Sequence, residues 1–108
     1  MGLGPSLDAW GKHGRFTYAG DLARGTRVLH GRNKQFVVQP ETYGELLTHF
    51  AGKTVKIGAS RRPARGSLGS WLRAKLGVEL AVVYVGPILV REGAAERVSE
   101  TELHFPPR

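Results

Sequence analysis

The chain of 108 residues contains no cysteine, which excludes disulfides and thiolate-metal sites outright. It also lacks an apolar run long enough to span a bilayer. Its most apolar stretch, Leu80 to Val90, is eleven residues long and contains Gly86 and Pro87, whereas a span needs roughly 20 apolar residues. That stretch is expected in a protein core. Met1 to Trp10 holds no basic residue and no apolar core segment, so it does not read as a secretory signal. There is no internal repeat and no low-complexity tract. These absences fit a reducing compartment and lead us to expect a cytoplasmic protein with no membrane partner.

Acids are the other scarce component, and their distribution is uneven. Residues 1–78 hold thirteen Lys and Arg against four acids, a local charge of +9, while residues 79–108 hold three against five, a charge of −2. Between Leu46 and Val78 there are seven basic residues and no acid at all. A field of that sign attracts polyanions and speeds their encounter. Apolar residues at 41% and charged residues at 23% are ordinary for a chain that folds, and the length suits one domain rather than two.

Local patterns give an α+β domain. Residues 1–14 carry four glycines and a proline without period and read as a flexible arm, with Trp10 the exception, suited to dock on the body or on a partner; the folded domain is expected over 15–108. Thr26 to His30 and Gln35 to Gln39 suit strands, joined by a basic Gly31-Arg32-Asn33-Lys34 turn into an N-terminal β-hairpin. Pro40 to Ala51 reads as a helix, with Tyr43, Leu46, Leu47 and Phe50 on one stripe and Gly52 as its stop. Thr54 to Ile57 reads as a strand and Gly58 to Gly66 as an exposed loop. Ser67 then caps a helix from Leu68 to Leu76 whose stripe is Leu68, Trp71, Leu72 and Leu76. Leu80 to Val90 fits either a helix bent at Gly86-Pro87 or a pair of buried strands. Arg97 to Phe105 reads as a strand or hairpin.

Motifs that would signal chemistry break down on inspection. Gly52-Lys53-Thr54 ends like a phosphate-binding loop, but the glycine required five residues earlier is Leu47, inside a helix. Gly58-Ala59-Ser60 lacks the second glycine of a nucleophile elbow, because Arg62 stands there. His13, His30, His49 and His104 have no spacing that puts two on one face of an element, and no carboxylate pair is evident. The sequence points to no catalytic residue, no metal and no cofactor.

The cluster that remains is Lys53, Lys56, Arg61, Arg62, Arg65, Arg73 and Lys75, suited to neutralising phosphates. Arg27, Arg32 and Lys34 of the hairpin extend the positive charge. In element order and glycine placement, Ser67 to Gly77 resembles the first helix of a winged helix-turn-helix with its turn glycine. Val82, Ile88 and Leu89 are similar to the inward residues of the second helix, and Glu92 to Val98 to the entry into the wing. The helix Pro40 to Ala51 and the strand Thr54 to Ile57 stand where the family has its first helix and strand. The resemblance implies a nucleic-acid-binding module, DNA more than RNA. In DNA-binding members the second helix reads the major groove with polar side chains. Leu80 to Val90 offers none, so the expected contact surface is the loop Gly58 to Gly66 with Arg73 and Lys75. The alternative is a homodimer or an adaptor with an acidic protein partner, using Leu80, Tyr84, Val85, Ile88 and Val90 as its interface.

Overall fold

Alternating side chains in the first forty residues build a four-stranded antiparallel meander. In the computed structural model, which describes residues 4–108, its strands are β1 (Ser6–Asp8), β2 (Arg15–Asp21), β3 (Gly25–His30) and β4 (Lys34–Val38), paired in that order. The register sets Phe16, Tyr18, Val28 and Val38 on one face, where all four are buried. The turn from β2 to β3 is fixed by the Asp21 carboxylate, which accepts the backbone N–H of Arg24 at 2.8 Å. The expected β3–β4 hairpin is present. The strands before it were not read from the sequence, although Phe16 and Tyr18 already alternate with Thr17 and Ala19 ahead of that turn.

The remainder is α1 (Pro40–His49), β5 (Thr54–Lys56), α2 (Leu68–Leu76), α3 (Val82–Arg91), β6 (Glu96–Ser99) and β7 (Glu102–His104). Strands β5, β7 and β6 form a second antiparallel sheet with β7 in the middle. Pro40 opens α1, whose Tyr43, Leu46 and Phe50 are buried with Leu47 half-buried beside them. The Ser67 hydroxyl accepts the Ser70 backbone N–H at 3.1 Å and caps α2, which Gly77 ends in the left-handed conformation. The α+β class is thus observed, in one body. Among the described residues no helix is long and apolar enough to cross a membrane.

Helix α3 settles the ambiguity of Leu80 to Val90 in favour of a helix, which continues through Pro87. Every residue from Val82 to Leu89 is buried. A helix apolar on all sides must be covered on all sides, and three parts of the chain cover this one. Helix α2 and strand β6 pack against it. The meander adds an aromatic wall, in which Tyr84 meets Phe16 edge-on at 5.3 Å between ring centroids and His30 at 4.3 Å. Burial, and then the charge of Lys34, hold the His30 imidazole below its ordinary pKa, so it serves the wall as a neutral ring. The Tyr18 hydroxyl donates to the Glu92 carboxylate at 2.5 Å and ties β2 to the end of α3.

Two expectations are corrected by this packing. Residues 1–14 were expected as a loose arm. Of these, 1–3 lie outside the described residues, but β1 pairs with β2; Trp10, the exception expected to dock on the body or on a partner, is pressed onto α3. Gly86 is what admits the indole: a Cβ at that position would lie 2.2 Å from a Trp10 ring carbon. The Arg97 guanidinium stacks over the same ring at 4.3 Å. Leu80 to Val90 as a docking interface is also corrected. Tyr84, Val85 and Ile88 are buried within this chain by its own meander and helices. Leu80 is half-buried, and only Val90 of that set is exposed, at 38%.

Gly86→Ala should therefore destabilise the fold by about 1–3 kcal/mol in denaturant unfolding, because indole or helix must shift. In a Trp10→Ala background the same substitution should cost far less; an equal cost in both would place the strain elsewhere. Stability should also fall in alkali. Burial, aided by the Glu92 carboxylate, pushes the Tyr18 phenol up to about 12, and burial pushes Tyr43 up to about 12 despite its 2.7 Å hydrogen bond with Thr26. In the unfolded chain both titrate near 10.0, so this stabilisation is complete below pH 10.0 and is lost as pH rises toward 12. For the more enclosed Tyr43 the loss is about 1.4 kcal/mol per pH unit. Unfolding measured across that window should flatten in Tyr18→Phe and Tyr43→Phe proteins, and a profile unchanged by both would contradict the assignment.

Candidate nucleic-acid interface

The basic loop is long but not loosely attached. It leaves β5 at Ile57, whose carbonyl accepts the Gly69 backbone N–H at 2.8 Å, so the start of the loop is bonded to the first turn of α2. Helix and loop come this close because residue 69 has no side chain: a Cβ there would stand 2.1 Å from the Gly58 carbonyl oxygen. The far end is held by the Ser67 N–H, which donates to Ala64 at 3.1 Å, and by the buried Ser67 cap. Between these anchors Arg61, Arg62 and Arg65 are exposed. Arg73 reaches back from α2 and donates through Nη1 to the Arg61 carbonyl at 3.3 Å, adding its charge to the loop.

The other expected members of the cluster are exposed but placed differently. Lys75 is paired with Glu45 of α1 at 2.8 Å, so its charge is largely answered within the chain. Lys56 stands directly across from Glu102 in the β5–β7 register. Lys53 precedes β5 and lies at the end of that strand away from the loop. The arginines of the loop differ from Lys75 in having no acid: the ion pairs among the described residues are Arg15–Asp8, Arg24–Asp21 and Lys75–Glu45. The structure thus brings Arg61, Arg62, Arg65 and Arg73 together and sets Lys53, Lys56 and Lys75 apart. Arg27 is exposed on the outer face of the meander, and Arg32 and Lys34 lie at its hairpin tip.

An aromatic pair borders the loop that sequence reasoning did not single out. Trp71, read as part of the buried stripe of α2, is only half-buried. His49, exposed at the end of α1, lies nearly parallel to it, with ring centroids 6.1 Å apart and planes 29° apart. Phe50 meets the indole edge-on from beneath. The available signal was position: Trp71 lies one turn into the helix that follows the Arg-rich loop. A shallow cleft of about 240 Å³ opens between this pair and Gly66, Ser70 and Ala74.

Other concavities are chemically plain. One of about 520 Å³ lies on the meander beside Arg15, Asn33 and Gln35. A groove of about 470 Å³ runs past Trp10, Pro87 and Val90 between Arg91 and Arg97. Among the described residues no three His, Asp or Glu side chains come together as a metal-binding group. Thr54 and His104 share a hydrogen bond of 2.8 Å across β5 and β7, with no acid bonded to that imidazole in turn. No protein-family model, no curated protein and no solved structure matches this chain.

Proposed function

We propose that the chain is a non-enzymatic nucleic-acid-binding module of winged-helix type, with double-stranded DNA as its expected ligand. Arg61, Arg62, Arg65 and Arg73 make the principal phosphate contacts. The observation that carries this reading is the unanswered charge of the loop. Three arginines stand exposed on one segment anchored at both ends, with a fourth bonded to it and no acid paired to any of them. Such an arrangement repels itself until a polyanion arrives, and binding then releases the counterions condensed on the nucleic acid.

The winged-helix part of the reading is supported by the order of elements. Helix α1 and strand β5 are followed by the pair α2 and α3 and then by the β6–β7 hairpin, which stands in the place of a wing. The mode of binding would depart from the family's usual one. Helix α3 is buried and apolar, and the hairpin carries Glu96, Glu100 and Glu102, which phosphates repel. Contact therefore falls to the loop before α2 and reads backbone rather than base edges.

Fluorescence-anisotropy titrations against random duplex DNA, single-stranded DNA and duplex RNA, each at two salt concentrations, test the reading. Duplex DNA should bind in a strongly salt-dependent way. Replacing Arg61, Arg62 and Arg65 together with Ala should weaken binding and lower the slope of log affinity against log salt by about two to three. Unchanged affinity in the triple variant would remove the loop from the interface, and no binding at low salt would end the nucleic-acid reading.

A further inference from the structure

We infer that the cleft beside the His49–Trp71 pair, lined also by Gly66, Ser70 and Ala74, takes one unpaired nucleobase, so that the site engages a nucleic acid where a strand is single. This rests on the phosphate-binding reading of the adjoining loop. The indole of Trp71 is half-buried and its near-parallel partner His49 is exposed, and the cleft that both line with Gly66, Ser70 and Ala74 opens to solvent. Its wall is continuous with the loop: Gly66 lines it, and Gly66 follows Arg65 directly. Trp71 lies one turn into α2, its backbone N–H donating to the Ser67 carbonyl at 3.1 Å. At 1.5 Å of rise per residue, Trp71 stands only about 6 Å along the axis from Ser67.

Charge and size select the ligand. On one side of the indole the Lys75 ammonium sits 5.4 Å from the ring centroid while bonded to Glu45, so that acid is already occupied. On the other side, the cleft is lined by Ser67, Ser70 and Ala74 with no acid. Its volume of about 240 Å³ falls below the range of drug-sized ligand pockets and suits a single small planar group. Aromatic faces beside a basic track are the means by which proteins hold single strands without reading sequence, since every base has a π-face. A base inside a paired duplex is stacked on both sides and has no free face for Trp71. A blunt duplex can use the arginines alone, whereas a strand with an unpaired base uses both.

The chain has two tryptophans, so Trp10→Phe leaves Trp71 as the sole indole reporter without altering the cleft. Oligothymidylate and a blunt duplex are each followed by ligand anisotropy and by Trp71 emission. Oligothymidylate should quench Trp71 in step with the anisotropy, whereas the blunt duplex should bind without quenching. In the otherwise unchanged protein, Trp71→Ala should weaken oligothymidylate binding by about 5- to 100-fold and leave the duplex within about twofold, with Trp71→Phe intermediate. Oligothymidylate binding with Trp71 emission unchanged would overturn the stacking inference while leaving the phosphate contacts standing. Absence of anisotropy change with either ligand would instead overturn the phosphate reading, and the stacking inference with it.

Discussion

The burial of α3 is the constraint on which the rest of the structure depends. Eight consecutive residues, Val82 to Leu89, offer no charged side chain and a single hydroxyl, so no face of the helix is suited to water. Helix α2 and strand β6 leave one side of such a rod uncovered. The N-terminal meander supplies the missing wall, and its inward residues are correspondingly large: Phe16, Tyr18 and Phe36, with His30 held neutral among them. Trp10 extends the wall to the point where Gly86 lets an indole meet helix backbone. The meander from Ser6 to Val38 is therefore part of the core rather than an appendage to it.

Burial of that helix also decides where charge can appear. A segment that cannot be solvated cannot carry the recognition groups of a DNA-reading helix, so basic residues sit on elements free to face water. One of them, Lys75, is neutralised in place by Glu45. The loop arginines are not. Exposed ion pairs contribute little to stability, so the contrast between the paired Lys75 and the unpaired loop arginines bears on what the surface attracts more than on how well the chain folds.

Much of this was legible from local pattern. The helix from Pro40, the cap at Ser67, the stop at Gly77 and the exposed loop rest on proline, serine and glycine chemistry that acts within a few residues. What was not legible depended on distant partners. Ser6 to Asp8 has no strand signal of its own and becomes a strand because β2 offers it an edge. Val82 to Val85 have strand propensity but lie in a helix, since packing on every side outweighs a preference worth well under 1 kcal/mol per residue. At the candidate site, the arginines could be named from charge alone. That Arg73 would join them while Lys75 turned to Glu45 depended on α1 lying beside α2, which no short-range pattern encodes.

The two sheets differ in how far apart along the chain their strands lie, and this has a kinetic consequence. Each strand of the meander pairs with its neighbour across a short turn, so that half of the molecule assembles from local contacts. The second sheet joins Thr54 to His104 and places β7, the later strand, between the other two. Neither β5 nor β6 has a partner in that sheet until residues 102–104 arrive, and closing so long a loop carries an entropic barrier that the meander does not face. During that interval α3 lacks part of its cover. The stage at which this chain is most prone to aggregate is thus the wait for its last strand, with the meander already formed and an apolar helix still partly bare.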